Sequence, residues 1–335
     1  MEIIMKRSVL LGTLAAGMIF STQAFAETSS IDLFVGNFMG IGSVDTVKLA
    51  ANKMIDDAIT KNAKQSDVQD ILNALNEYGI DYKKDIGMIT VATTDNGDFC
   101  LAVDAKKSLK DAMAKYVKGE GESLKNSTHK DVTIYTDADA TTMALVSDMR
   151  LIACDKGLDI KPIIDNAKAA KPKLLKDRDS VLYNAYNATP KAADIRVGVK
   201  MTKSLSDAYG QYAIDDGADK KIHLSDVEAA SLSINLSKGL NVEIMAQIET
   251  AKKAAAGEAI LTKQIVGLLS DPTIEQLGLG FLSKAVKFSA NKTQLKGVLD
   301  LSDDQITTIS MLFMELAASS ASAGRTTTST AIPEK

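Results

Sequence analysis

Residues 229–248, AASLSINLSKGLNVEIMAQI, decide the fold class of this chain. Polar and apolar residues alternate over 229–236, a Ser-Lys-Gly turn follows at 237–239, and an apolar-rich run covers 240–248. A period of two residues is typical of β-strands, and Gly239 suits a tight turn between two of them. The stretch therefore predicts a long antiparallel β-hairpin.

The first strand of this hairpin has one polar and one apolar face. Successive side chains of a strand point to opposite sides of the sheet, and antiparallel sheets often leave one side in water. We therefore expect the polar face to be exposed to solvent and the apolar face to be buried. The two faces are formed by Ser231, Ser233 and Asn235 and by Leu232, Ile234 and Leu236.

The pattern strand, turn, strand, helix recurs along the chain, and each half also opens with a single predicted strand. A lone hairpin is marginally stable in water, whereas several hairpins covered by amphipathic helices can bury a continuous face. The sequence thus predicts an α+β fold with a mostly antiparallel sheet, helices on one face and two related halves, 27–172 and 173–317. The repeats lie near 86–117, 132–170, 229–269 and 285–317, and the opening strands at 31–35 and 181–185.

Several helices and one loop are predicted from spacing and capping signals. A helix over 108–117 carries Leu109, Ala112, Met113 and Tyr116 on one side. Further helices are expected over 44–60 with Ser43 as N-cap, from a capping box at Ser66 and Gln69 to Gly79, in part over 193–212, over 250–269, and from a second capping box at Ser302 and Gln305. The polar stretch 120–131 is predicted to be a surface loop.

Residues 1–26 have the pattern of a cleaved export signal. Lys6 and Arg7 precede an apolar run over 8–20, and Ala-Phe-Ala at 24–26 forms a small-x-small cleavage site. We expect cleavage after Ala26 and a mature protein in a bacterial periplasm. The Ala-, Ser- and Thr-rich residues 318–335 are predicted to be a disordered tail.

The net charge of the mature chain argues against nucleic acid as a partner. Without Lys6, Arg7 and Glu2, 37 basic and 42 acidic residues remain, a net charge of −5. A mildly acidic chain lacks the basic footprint that nucleic acid requires. Beyond the leader, no apolar run approaches the roughly 18 residues of a membrane-spanning helix, so no retained transmembrane helix is expected.

The chain has two cysteines, Cys100 and Cys154, each within a predicted strand. An even pair in an oxidising compartment indicates a possible disulfide, whereas the alternative is two buried thiols that never meet. No nearby histidine or cysteine completes a metal-ligand set with them.

No motif in the sequence predicts catalysis, a cofactor or a metal site. His129 and His223 lie outside any nucleophile or zinc pattern, and surface positions are expected for both. The glycine-rich stretch 36–42 lies where a phosphate loop would be, but it lacks the Gly-Lys-Ser/Thr ending, so a plain turn is preferred. The acidic cluster 95–98 is interpreted as a hairpin turn rather than a calcium site, and neither this cluster nor 137–139 completes a twelve-residue calcium loop.

The order of elements resembles that of a loose group of uncharacterised exported bacterial α+β proteins with two related halves. The resemblance rests on Ile31-Asp32-Leu33-Phe34-Val35, on the hairpin 230–240 and on the alanine-rich helix that follows it. It implies an exported protein, and it carries no activity or site residue.

Two functions are consistent with these features. The first is a non-enzymatic periplasmic protein that binds or assembles with other envelope components. The alternative is a carrier of an apolar small molecule or lipid, held in a cavity between sheet and helices.

Overall fold

The computed structural model describes residues 29–53, 55, 73, 75–215 and 221–312 of the 335-residue chain. The predicted leader 1–26, the capping box at Ser66 and the predicted tail 318–335 lie outside these residues.

The fold is α+β and is built on one large antiparallel sheet, as the sequence predicts. Its strands are β1 Gly40–Asp45, β2 Ile86–Thr93, β3 Phe99–Ala105, β4 Lys125–His129, β5 Val132–Thr136, β6 Thr142–Ser147, β7 Arg150–Cys154, β8 Ile195–Lys200, β11 Val227–Asn235, β12 Leu240–Ile248, β13 Val286–Asn291 and β14 Gln294–Leu301. The strand order is β13-β14-β12-β11-β8-β1-β2-β3-β7-β6-β5-β4. A separate hairpin pairs β9 Ala213–Asp215 with β10 Lys221–His223.

The described helices are mostly short. They include α1 Ser30–Leu33, α2 Thr46–Ala51, α3 Tyr82–Asp85, α4 Lys110–Glu120, α5 Lys161–Ala167, α6 Leu175–Arg178, α7 Ser180–Asn187, α8 Lys203–Tyr209, α9 Ala251–Leu261, α10 Gly267–Leu269, α11 Pro272–Gln276 and α12 Leu282–Ala285, with a π-helical turn at Thr262–Val266. Residues 75–77 and 303–312 are helical as well. Within the described part of the chain, no helix has the length and apolar character needed to cross a bilayer.

The central strands β1 and β8 pair antiparallel, with Gly42 opposite Val197. Outward from this pair the order is β1-β2-β3-β7-β6 on one side and β8-β11-β12-β14-β13 on the other. On one side the hairpin β2–β3 is followed along the chain by helix α4, and on the other side the hairpin β11–β12 is followed by helix α9. A structural relation between the halves 27–172 and 173–317, beyond this strand order, stays a prediction.

Helices pack on both faces of the sheet, so the expectation of helices on one face is wrong. Ala102 and Ile152 belong to a buried cluster that also contains side chains of α1, α5, α6 and α7. Leu101 and Ala153, which point to the opposite side, belong to a cluster with α4. Each strand in this region therefore has two apolar faces.

Both predicted opening strands are helices. Residues 31–35 begin within α1, which is held by Arg178 through hydrogen bonds to the carbonyl oxygens of Asp32 and Phe34 at 2.9 and 2.6 Å. Burial lowers the pKa of this guanidinium, which stays a hydrogen-bond donor. Residues 181–185 lie in α7, because Asp179 caps its first turn by accepting from the Leu182 N–H at 3.0 Å. Apolar runs this short do not distinguish strand from helix.

The long hairpin 229–248 is confirmed, but the predicted division into a wet and a buried face holds only in part. Leu236 is buried as predicted, whereas Ser231 and Ser233 are also buried and Leu232 and Ile234 are partly exposed. The cause is α7, which crosses the serine side of the sheet at Gly198, the residue paired with Ser231. Small side chains and a glycine let a helix approach a sheet closely, so burial here follows size rather than polarity.

Two further local predictions are wrong, over 44–60 and over 120–131. Strand β1 replaces the start of the helix predicted over 44–60, and Asp45 rather than Ser43 is the N-cap of α2. The stretch 193–212 is helical in part, as predicted, because α8 lies within it, and strand β8 occupies 195–200. Strand β4 lies within the predicted loop 120–131 and pairs with β5 through a turn at Lys130 and Asp131, both with positive φ.

Other local predictions are confirmed. The capping box at Ser302 is present, with the Ser302 N–H donating to Gln305 Oε1 at 2.9 Å and the Gln305 N–H donating to Ser302 Oγ at 3.3 Å. The hairpins β2–β3 and β13–β14 are also formed where predicted.

Asp194 is a buried carboxylate that joins the central strands. Its Oδ2 accepts the Leu236 N–H at 2.6 Å, and its Oδ1 has no hydrogen-bond partner among the described residues. Burial raises the pKa of Asp194, although the Leu236 N–H and the cation of Lys48 oppose the shift. A carboxyl whose pKa is raised by folding stabilises most below its unfolded value, and this contribution is lost as the pH rises through the folded value.

We expect Asp194→Asn to raise the free energy of unfolding at pH 7 by about 1 kcal/mol, because it removes a buried, half-satisfied charge and keeps an acceptor for Leu236. The difference from wild type should shrink towards pH 4. Asp194→Ala leaves the Leu236 N–H unpaired and should cost about 1–3 kcal/mol at both pH values. Urea unfolding at the two pH values measures these changes, and equal losses for both variants would contradict the assigned role of the charge.

Candidate functional site

A cavity of about 290 Å³ lies between helix α4 and the sheet. Its floor is apolar and comes from adjacent strands: Leu101 and Val103 of β3, Ala153 of β7 and Met143 of β6. Register places Leu101 beside Ala153 and Ala153 beside Met143, so these side chains form a continuous row on one face. The floor is thus fixed by paired backbone rather than by loops.

Helix α4 forms the roof of the cavity. Leu109, Ala112, Met113 and Tyr116 all line it, and they are the apolar side predicted from the sequence. None of the residues of α4 is fully buried. The helix therefore covers the sheet without filling the space beneath it.

The remaining wall contains two tyrosine rings and two carboxylates. Tyr78 and Tyr116 meet edge to face with ring centroids 5.8 Å apart. Glu120 follows Tyr116 by one helical turn, and Asp137 comes from the β5–β6 turn. Asp137 Oδ1 accepts the N–H groups of Asp139 and Thr141, both at 2.9 Å, and these bonds stabilise the turn between β5 and β6.

The size and lining of the cavity suit a small apolar ligand. Ligand pockets usually occupy about 300–1,000 Å³ and combine apolar walls with a few polar groups, so this cavity is at the small end. Its volume matches a single alkyl chain or a pair of fused rings better than a two-chain lipid.

Cys100 and Cys154 are joined by a disulfide on the face opposite the cavity. They are directly paired residues of β3 and β7. Cys100 comes just before the floor residue Leu101, and Cys154 comes just after the floor residue Ala153. The bond therefore ties together the two strands that carry the floor.

The two histidines do not line the cavity. His129 Nε2 lies 2.6 Å from Asp165 Oδ1, and Lys130 Nζ lies 3.0 Å from the same oxygen, which joins β4 to α5. Lys130 first, and then His129, lower the pKa of Asp165. The His223 N–H donates to Asp226 Oδ2 at 2.9 Å.

The other sequence candidates are structural. The first part of the stretch 36–42 is a bent connection between α1 and β1, whereas Gly40 and Gly42 lie in β1 rather than in the predicted turn. Residues 95–97 form the turn between β2 and β3, with Gly97 at φ +84°. Within the described ranges, no group of three or more His, Cys, Asp or Glu side chains could hold a metal ion.

Comparison with known proteins gives fold neighbours only. No protein-family model matches the chain, and no curated protein matches it in sequence. It is similar to crystal structures of TP0453: form III at TM-score 0.49 and 10% identity, covering 86% of this chain and 100% of that one, form IV at 0.48 and 9%, and form I at 0.46 and 11%, both covering 86% and 98%. At these values the likeness says nothing about function.

Proposed function

We propose that this chain is an exported, non-enzymatic periplasmic protein that binds an apolar small molecule in the cavity beneath α4. The cavity carries the proposal, because the pairing of β3, β7 and β6 fixes an apolar floor and α4 closes it with an apolar roof, which leaves an apolar space between them. Each methylene moved from water into such a site contributes about 0.8 kcal/mol, so an eight-carbon chain gains about 6 kcal/mol before the cost of association.

Two features support an extracytoplasmic location. The first is the leader pattern at 1–26, with its cleavage site after Ala26. The second is the Cys100–Cys154 disulfide, because such bonds persist in oxidising compartments and are rare in the cytoplasm.

The non-enzymatic part of the proposal rests on the chemistry of the cavity. Its polar lining consists of two tyrosines and two carboxylates, and both histidines lie elsewhere. Tyrosine and carboxylate groups at a cavity wall can orient a bound ligand. Covalent catalysis would need a nucleophile in contact with a base, and we propose no such pair in this cavity.

Binding of N-phenyl-1-naphthylamine, a neutral fluorescent probe, tests the proposal on purified protein stripped of lipid on a hydrophobic resin. We expect saturable binding by wild type. Ala112→Phe places a ring in the cavity and should weaken binding at least tenfold. Ala114→Phe, on the exposed side of the same helix, is the matched control and should change affinity less than twofold.

The outcome also separates the two functions considered. Equal affinities in the two variants would place the probe outside the cavity, and an absence of binding by wild type would contradict the proposal.

Assembly with another envelope protein is the second candidate, and it is favoured by the apolar face of β11, β12 and β13. Leu232, Ile244 and Phe288 lie on this face together, and Ile244 is 54% exposed. A protein that ignores the probe would make this assembly function the better explanation.

A further inference from the structure

We infer that the ligand of this cavity carries an aliphatic chain whose free methyl end points towards Leu109, and that Leu109 limits the length of the chain. This inference rests on the proposed function and adds the class of ligand and its orientation. It comes from the direction of α4 over the sheet and from the burial of one end of the cavity.

The direction of α4 gives the cavity two different ends. The Leu109 N–H, just before the helix, donates to the Asp148 carbonyl oxygen in the β6–β7 turn at 2.8 Å. Glu120, the last residue of the helix, lines the cavity together with Asp137 of the β5–β6 turn. These two turns lie at opposite ends of β6, so α4 runs along this strand and the cavity extends along the helix axis.

The end of the cavity at Leu109 is closed by buried aliphatic side chains, and we call it the closed end. Ile86, Val103 and Leu109 line the cavity and are 1%, 4% and 4% exposed. The end of β3 is fixed here as well, because the Ala105 N–H donates to the Met149 carbonyl oxygen at 2.7 Å. A chain that enters the cavity therefore stops against Leu109.

The polar side chains of the lining lie towards the other end. Tyr116, Glu120 and Asp137 are partly exposed, whereas the described side chains that line the closed end are all aliphatic. A polar group that is buried without a hydrogen-bond partner weakens binding. The closed end therefore suits a methyl group, and a polar group of the ligand, whatever its charge, belongs at the other end.

The dimensions of the cavity set the length of the chain. From Leu109 to Tyr116 the helix rises about 10 Å at about 1.5 Å per residue, which is the length of about eight carbons joined by bonds of about 1.5 Å. The cavity volume of about 290 Å³ gives a similar answer. It is about twice the ~150 Å³ of an engineered cavity that binds benzene, so it has room for about ten carbons.

Displacement of bound N-phenyl-1-naphthylamine by n-alkanols of six, eight, ten and twelve carbons, all below their solubility limits, tests the length limit. Each added methylene should tighten binding by wild type about fourfold up to decanol. Dodecanol should then bind less than twofold more tightly than decanol, because its additional methylenes stay in water.

Variants at the closed end should move this limit. Leu109→Ala and Val103→Ala, made separately, each enlarge the closed end, so dodecanol should bind at least fivefold more tightly than decanol in both. Val117→Ala shortens a side chain of the same helix that does not line the cavity. It is the matched control and should keep the wild-type pattern.

A ligand with polar groups at both ends tests the orientation. We expect 1,10-decanediol to bind wild type at least tenfold more weakly than decanol, because its second hydroxyl is buried against Leu109 without a hydrogen-bond partner. A cavity open at both ends would leave both hydroxyls in water, and the difference would be less than about threefold.

The possible results separate this inference from the proposed function. If affinity keeps rising fourfold per methylene to dodecanol, or if the diol binds as tightly as decanol, the closed end is wrong and the apolar site stands. If Leu109→Ala and Val103→Ala fold and keep the limit at decanol, Leu109 does not set it. If neither the probe nor any alkanol binds wild type, the proposed function fails, and the inference fails with it.

Discussion

Replacing both Cys100 and Cys154 by alanine is expected to lower the free energy of unfolding by about 4 kcal/mol. The bond closes a loop between residues 54 positions apart, and opening it gives the unfolded chain more conformational freedom. This loop contains α4 and β4 to β6, so the roof of the cavity depends on the bond as well. Guanidinium unfolding followed by circular dichroism measures the change, which corresponds to a fall in Tm of about 5–10 °C.

Reduction provides the control for this prediction. Wild type that is unfolded in the presence of a reductant should have the midpoint of the double variant, and the variant should not respond to the reductant. Identical midpoints for oxidised wild type and the variant would show that the bond does not stabilise the fold. Alkylation of two free thiols in the native protein would show that the bond is not formed.

Gly198→Ala is expected to lower the free energy of unfolding by at least about 3 kcal/mol, or to prevent folding. A Cβ at this position would stand 2.6 Å from Tyr186 Cα, an atom of the α7 backbone that cannot move aside alone. Tyr186 also hydrogen-bonds with Ser43 Oγ at 2.5 Å, and its ring stacks under Arg196 at 4.2 Å, so α7 is held at this distance by several contacts. Thermal and urea unfolding measure the loss.

Gly42→Ala is the matched control on the neighbouring strand. A Cβ there would meet Val197 Cγ2 at 3.4 Å, which is an ordinary contact. We expect a change within about 1 kcal/mol, and alanine can even stabilise a strand by restricting the unfolded chain. Equal stabilities for the two variants would contradict the close packing of α7 on β8.

The hairpins could be predicted from the sequence because their signals are local. Gly97 and Gly239 adopt positive φ at their turns, and alternating residues on either side set the strands. The capping box at Ser302 is local in the same sense.

Other elements depend on contacts between distant residues, and their predictions are wrong. The strand expected at 31–35 is helical where Arg178, far along the chain, binds its carbonyl groups. The serine face of β11 is buried because α7 lies over it, which no pattern within 229–236 could reveal. Tertiary packing overrides local preference in both cases.

The candidate site could be predicted only in part. The side of α4 that lines the cavity was visible from the spacing of Leu109, Ala112, Met113 and Tyr116. The unfilled space beneath it was not, because it depends on the distance between helix and sheet. The sequence around Asp137 indicates no ligand site, and the place of this residue in the cavity wall results from the pairing of β5 with β6.

Anomalous diffraction from crystals of the protein grown with 1-bromooctane would locate the bound chain directly. We predict a bromine peak beneath α4, within contact distance of Leu101, Met113 and Ala153. Bromine peaks confined to the outer surface, or an empty cavity at saturating bromooctane, would contradict an apolar ligand site in this protein.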